Sequence, residues 1–223
     1  MNGLGEDVPA AGAATLLVIA KEPVPGRVKT RLTPEYTLEE AARLAAAALS
    51  DTLDTVLSLP ARRRVLALEG QPGPWLPDGG FDVVPQSGGG LDERLAAAFA
   101  RCSGPTLLLG MDTPQVTAAI LAPVLAADAW TRADAWFGPA EDGGFWALGL
   151  AEPDPDLLLG VPMSTARTGR VQRRRLTAAG LRVADLPLLT DVDTAADVAR
   201  VARQVPGSRF ARAVADRTTG LVR

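Results

Sequence analysis

The sequence contains no histidine and a single cysteine, Cys102. Without histidine, Ser-His-Asp and Cys-His nucleophilic machinery is excluded, and one thiol cannot close an internal disulfide. Lysine is scarce and aromatic residues make up only 4% of the chain. No stretch reaches the roughly 18 consecutive apolar residues of a membrane-spanning helix. Residues 1–14 lack the basic start and sustained apolar core of a secretory signal, so a cytoplasmic protein of bacterial type is expected. The net charge of -3 offers no long-range attraction to nucleic acid, and none is expected as a partner. The basic runs Arg62–Arg64 and Arg173–Arg175 read as solvated faces.

What is present suits one α/β domain: 223 residues, 47% apolar and 22% charged. Thr15–Ala20 is a continuous apolar run, the pattern of a strand covered on both faces. Pro34 and a Thr37-to-Glu40 capping box precede a long helical periodicity over residues 37–57. Short strands follow at 65–68 and 81–84, a helix at 91–101, a buried strand at 105–109 and a helix at 117–127. Segments 133–138 and 145–150 flank Asp142-Gly143-Gly144, which predicts an antiparallel hairpin on an otherwise parallel sheet. A helix over 164–179, a strand over 181–186 and a helix over 194–204 complete the pattern. The expected organisation is a flexible segment 1–14, one domain 15–205 and a C-terminal extension 206–223. Alternating strands and helices call for a mixed, mainly parallel sheet with covering helices.

Chemistry-bearing residues cluster where strands end. Lys21-Glu-Pro-Val-Pro-Gly-Arg-Val-Lys-Thr-Arg31 follows the first strand directly, and its prolines and Gly26 bend the backbone. Lys21, Arg27, Lys29 and Arg31 can converge there on one phosphate chain, although an exposed basic loop has the same composition. The spacing is not that of a P-loop, so charge rather than a glycine cradle carries any phosphate binding. Asp112 leaves the strand that ends at Leu109, where it can hold Mg²⁺ or Mn²⁺ through oxygen or simply cap the next helix. Asp191 and Asp193 are two apart and can share a cation with Asp112, while Asp197 completes a cap with Thr194. Glu141 and Asp142 stand beside Gly143 and Gly144, close enough to an acceptor hydroxyl for base catalysis if the turn is more than a plain hairpin. In Gln86–Arg94, Gly89 and Gly90 permit backbone approach to a ligand, with Arg94 beside them, or merely join a strand to a helix.

In this order, the strings AKEPVPGRVKTRL, the 86–94 loop, GMDTP, GPAEDGGFWALGL and DVDTAADV resemble the bacterial DUF2064 family of glycosyltransferase-A-like transferases over residues 16–198. The resemblance implies a three-layer α/β/α nucleotide-diphospho-sugar transferase fold, related to sugar nucleotidyltransferases and 2-phospholactate guanylyltransferases. It further implies that the first loop, with Lys21, Gly26, Arg27, Lys29 and Arg31, receives nucleotide phosphates. Asp112, Asp191 and Asp193 then correspond to metal ligands, while the residues themselves make Gly89, Gly90, Arg94, Gly143 and Gly144 the expected substrate contacts. The opening loop departs from the Leu-Ala-Gly-Gly-x-Gly-x-Arg form of many sugar nucleotidyltransferases, and Met163 stands where the family leads one to expect tryptophan. The leading expectation is glycosyl transfer from a nucleotide diphosphate-sugar to a small-molecule acceptor, with Mg²⁺ or Mn²⁺. The alternatives are nucleotidyl transfer to a phosphorylated small molecule and a nucleotide-binding module without turnover.

Overall fold

The computed structural model describes residues 14–220, leaving residues 1–13 of the expected N-terminal segment outside the described residues. Strand β1 (Thr15–Lys21) lies at the centre of a seven-stranded sheet ordered β3-β2-β1-β4-β6-β5-β7. It pairs in parallel with β2 (Arg63–Glu69) and β4 (Thr106–Leu109), which explains why its apolar run is unbroken. Strand β3 (Asp82–Pro85) extends the parallel set beyond β2. Beyond β4 the direction reverses: β6 (Phe145–Leu150) is antiparallel to both β4 and β5 (Ala135–Pro139), and β7 (Val183–Asp185) is parallel to β5. The sheet is therefore mixed and mainly parallel, as expected.

Successive side chains of β1 divide between the two faces. Leu16 and Val18 join Leu66, Leu107 and Leu109 beneath α1 (Leu38–Ser58) and α3 (Ala118–Leu125). Leu17 joins Val65, Ala67 and Leu108 under α2 (Leu91–Phe99) and, further along, α5 (Thr168–Ala178). Helix α1 begins at the expected capping box: the Thr37 hydroxyl accepts from Glu40 N–H, and the Glu40 carboxylate accepts from Thr37 N–H. At its other end the guanidinium of Arg64 donates to the carbonyls of Val56 and Leu59, so this arginine closes a helix rather than only facing solvent. A short α4 (Ala129–Arg132) precedes β5.

Two sequence expectations shift. The helix predicted from Ser164 starts at Thr168, because Ser164 takes a left-handed φ of 56° and the Thr165 hydroxyl accepts from Arg167 N–H, wrapping 164–167 into a loop. The segment expected as a C-terminal extension carries α7 (Arg209–Gly220), which packs on α1 beside α6 (Ala195–Gln204). Phe210 is fully buried against the Leu32, Tyr36 and Leu44 cluster, and Asp51 accepts the backbone N–H groups of Arg209 and Phe210. No described helix is long and apolar enough to cross a membrane.

Candidate active site

Parallel strands deliver their C-termini to one edge of a sheet, where ligands of open α/β folds bind. Here β1 ends at Lys21, β2 at Glu69, β3 next to Gln86 and β4 next to Gly110, while β5 and the antiparallel β6 bring the 140–144 turn to the same edge. The loops enclose a cavity of about 440 Å³, which adjoins a smaller one of about 280 Å³; Lys21, Arg31, Met111, Asp112 and Asp193 line both.

The smaller cavity is walled by the basic loop, with Arg27, Lys29 and Arg31 contributing side chains. Each of its cations has a carboxylate partner. Lys21 and Arg27 lie 3.3 and 3.6 Å from Glu69, which also takes Arg94 at 2.6 Å. The Lys29 ammonium sits between Asp112 (2.6 Å) and Asp193 (3.2 Å), with its side chain only 7% exposed, and Arg31 reaches Asp193 at 3.1 Å. Burial works to lower the Lys29 pKa, but Asp112 and Asp193 outweigh it and raise the value, so the ammonium stays charged.

Asp112 does not cap α3. That helix starts at Ala118 with the Thr117 hydroxyl as its cap, and the Asp112 carboxylate instead faces the cavities, paired with Lys29. The Asp112 carbonyl accepts from Val192 N–H, so the β4 exit and the 190–193 segment are stitched together. Gln115 reinforces this by donating to the Thr190 carbonyl. Asp191 therefore lies near Asp112 and Asp142: burial, then those two charges, push its carboxyl up to about 7, against the opposing pull of Lys29. Asp142 also lines the larger cavity, its Oδ1 accepting Gly144 N–H at 2.7 Å.

The two adjacent acids of the turn part ways. Glu141 pairs with Arg200 at 2.7 Å and is not among the residues lining these cavities, whereas Asp142 is. Gly143 (φ 89°) is required where the turn meets the loop before α5, because a β-carbon there would run into the Ala166 carbonyl. Gly169 donates its N–H to the Gly143 carbonyl at 2.8 Å, closing the same contact from the other side. Gly144 and Arg94 line the larger cavity; Gly26, Gly89 and Gly90 do not. Gly90 instead donates to Glu93 in the cap of α2. Asp197 is the capping residue expected, accepting Thr194 N–H.

Sequence reasoning passes over five contributors. Glu69 is directly opposite Lys21 in the β1–β2 register, so an acid ending a second buried strand is its visible signal. Gln86, visible in the sequence only as part of a loop, donates to the carbonyls of Ala20 and Ala67 and accepts from Arg94. Ser164, Thr165 and Thr168 line the larger cavity from the loop that replaces the first turn of the expected helix and from the start of α5. Lys29 and Ser164, the two non-glycine residues with positive φ among the described residues, both border these cavities. Strained backbone of this kind gathers at functional sites.

Among the described residues no three acid or cysteine side chains are gathered as a ready metal shell. Carboxylate oxygens are the ligands a hard divalent cation takes, and Asp112, Asp142, Asp191 and Asp193 border one cavity.

A mixed sheet with its ligand edge lined by an N-terminal basic loop and strand-end aspartates defines the nucleotide-diphospho-sugar transferase fold class. Residues 44–165 match DUF2064, described as an uncharacterized protein conserved in bacteria, and the chain belongs to that family. A structure from Desulfovibrio desulfuricans G20, described as a "putative nucleotide-diphospho-sugar transferase", is 25% identical with a TM-score of 0.80, covering 92% of this chain and 95% of its own. The inositol-1-phosphate CTP transferase from T. maritima shares the fold at a TM-score of 0.55 and 12% identity, over 88% of this chain and 98% of its own. So does the 2-C-methyl-D-erythritol 4-phosphate cytidylyltransferase from Thermus thermophilus, at 0.52 and 17%, over 85% and 97%. No curated protein matches the sequence.

Proposed function

We propose that this protein is a metal-dependent transferase using a nucleotide-activated donor, with glycosyl transfer from a nucleotide diphosphate-sugar as its leading chemistry. The observation that carries this reading is the shared wall of the two cavities, where the cations of the basic loop meet Asp112 and Asp193. A diphosphate is the ligand for which such a wall makes sense: its negative oxygens need several fixed cations, and its neutralisation needs the acids to carry a metal. Lys21, Arg27 and Arg31 bind the phosphates. Asp112, Asp191 and Asp193 hold Mg²⁺ or Mn²⁺, which when bound stabilises the charge that develops on the leaving diphosphate.

The remaining residues position the acceptor. Asp142 has one carboxylate oxygen fixed by Gly144 N–H, leaving Oδ2 to take the proton of an acceptor hydroxyl. In that step the acceptor oxygen bonds to the anomeric carbon, the glycosidic bond breaks, and its electron pair leaves with the nucleoside diphosphate. Glu141 is assigned to Arg200 and not to the reaction. The apolar part of the cavity, with Ile19, Leu91, Leu95 and Phe145, supplies the water-poor surface that small-molecule sites use for a ring or base.

Nucleotidyl transfer is the second reading, supported by two fold relatives that are named as CTP-using or cytidylyl transferases. There a phosphorylated acceptor attacks the α-phosphate of a nucleoside triphosphate and pyrophosphate departs, with the same cations stabilising charge on phosphorus. Product analysis separates them. Nucleotide diphosphate-sugars incubated with the protein, Mn²⁺ and an acceptor library should release nucleoside diphosphate; pyrophosphate release from GTP or CTP instead would replace the first reading by the second. Tight nucleotide binding with neither product, unchanged in Asp112→Ala, would identify a binding module without turnover.

A further inference from the structure

The basic loop holds one cation in an unusual position. The whole sequence has two lysines, Lys21 and Lys29, and both belong to this loop. Lys21 is more than a third exposed, whereas Lys29 is sealed between Asp112 and Asp193. Its backbone is left-handed (φ 50°, ψ 34°), a conformation that a lysine holds only when its surroundings impose it. The N–H···O bond to Asp193 and the ion pair to Asp112 are what its side chain has to offer in return. Both of those acids are ones to which the proposed function gives a divalent metal.

We propose that Lys29 is the site's own counter-cation, clasping Asp112 and Asp193 until donor phosphates draw its ammonium away, so that the metal enters with the nucleotide and not before it. The inference rests on the reading of the site as a metal and phosphate site. An ammonium 2.6 Å from Asp112 competes with a metal ion bonded to the same oxygen at about 2.0–2.1 Å, because two positive charges held that close repel each other. A phosphate in the adjoining cavity gives the ammonium another anion to bind, because Lys29 already forms part of that wall. Lysine suits this exchange better than arginine, being a compact charge on a flexible stem. Free metal alone must instead break the clasp without that compensation.

The sequence makes the exchange directly visible. Protein grown with ε-¹³C-lysine gives two resonances, one for each lysine, assignable with Lys21→Arg. On adding inorganic pyrophosphate and Mg²⁺ together, the Lys29 resonance should move strongly, while Mg²⁺ alone at the same concentration should leave it in place. A second measurement follows free Mn²⁺ by electron paramagnetic resonance. In the absence of pyrophosphate, Lys29→Met should bind Mn²⁺ at least about tenfold more tightly than the unaltered protein, the penalty expected when a competing state occupies about nine-tenths of the molecules. Pyrophosphate should tighten Mn²⁺ binding in the unaltered protein and do so less in the variant. A Lys29 resonance that stays fixed while Lys21 responds would overturn the clasp and leave the phosphate site intact, as would Mn²⁺ binding that is equal or weaker in Lys29→Met. No response at either lysine, with no Mn²⁺ bound, would overturn the phosphate and metal reading itself.

Discussion

Asp191 ionises against its surroundings, and the cost falls on the fold. Burial and the neighbouring charges of Asp112 and Asp142 bring its folded value to about 7, whereas a carboxyl in the unfolded chain titrates near 3.9. Between those values the folded state holds a proton that the unfolded state has lost, so stability declines as pH rises from about 4 to about 7 and levels off above. Asp191→Asn removes that penalty. Urea denaturation should therefore show the variant more stable than the unaltered protein at pH 8, with the gain shrinking towards pH 5; a gain independent of pH would contradict the account. Asp134 is the opposite case. Hydrogen bonds from the Arg182 side chain and backbone hold it down at about 2, so its contribution is present above about pH 4 and fades only as pH falls through about 2. One acid is held charged by its arginine partner, and the other is held protonated by burial and neighbouring charge. Asp142→Asn should lower kcat by about 10²–10⁴-fold, the usual worth of a general base, while leaving donor-induced stabilisation unchanged. Unaltered kcat would remove Asp142 from the base role.

At the scale of elements, what the sequence displayed and what it hid follow from the range of the forces involved. Strand β1, helix α1 with its capping box, the Asp-Gly hairpin between β5 and β6 and the cap of α6 were all legible, because each is written in residues no more than a few positions apart. The gathering of Lys21, Lys29, Arg31, Asp112, Asp142, Asp191 and Asp193 around the two adjoining cavities was legible from their place in loops at element ends, their roles being those of the proposed function. The pairing of Lys29 with Asp193, 164 positions away, was not, and neither was the loop before α5, where Ser164 leaves the helical region although its neighbours permit a helix. Two element-level tests follow. Gly143→Ala places a methyl group against the Ala166 carbonyl at a positive φ, which should cost about 1–3 kcal/mol and displace Asp142, with activity falling further than stability explains. Wild-type melting and activity would show that the turn adapts. Phe210→Ala empties a fully buried site under α7 and should cost about 3–5 kcal/mol while unfolding stays a single transition. A separate early transition would mean that α7 is not part of the cooperative unit formed with α1.

Across the whole molecule, helices on both faces leave one open sheet edge, and the charges gathered there are close to balanced: basic-loop cations against Glu69, Asp112 and Asp193, with Asp191 partly protonated near neutral pH. On the proposed function, a site so arranged gains little from a bare anion or a bare cation and most from both together. The most direct test is a thermal-shift screen of nucleotides and nucleotide sugars with and without Mn²⁺. A donor at about 100 times its Kd stabilises the fold by about 2.7 kcal/mol, which for a chain of this size is a rise of about 5–10 °C in Tm. The account predicts such a rise for at least one nucleotide or nucleotide sugar only when Mn²⁺ is present, and its loss in Asp112→Asn. A rise of the same size without metal and undiminished in that variant, or no rise with any of them, would contradict it.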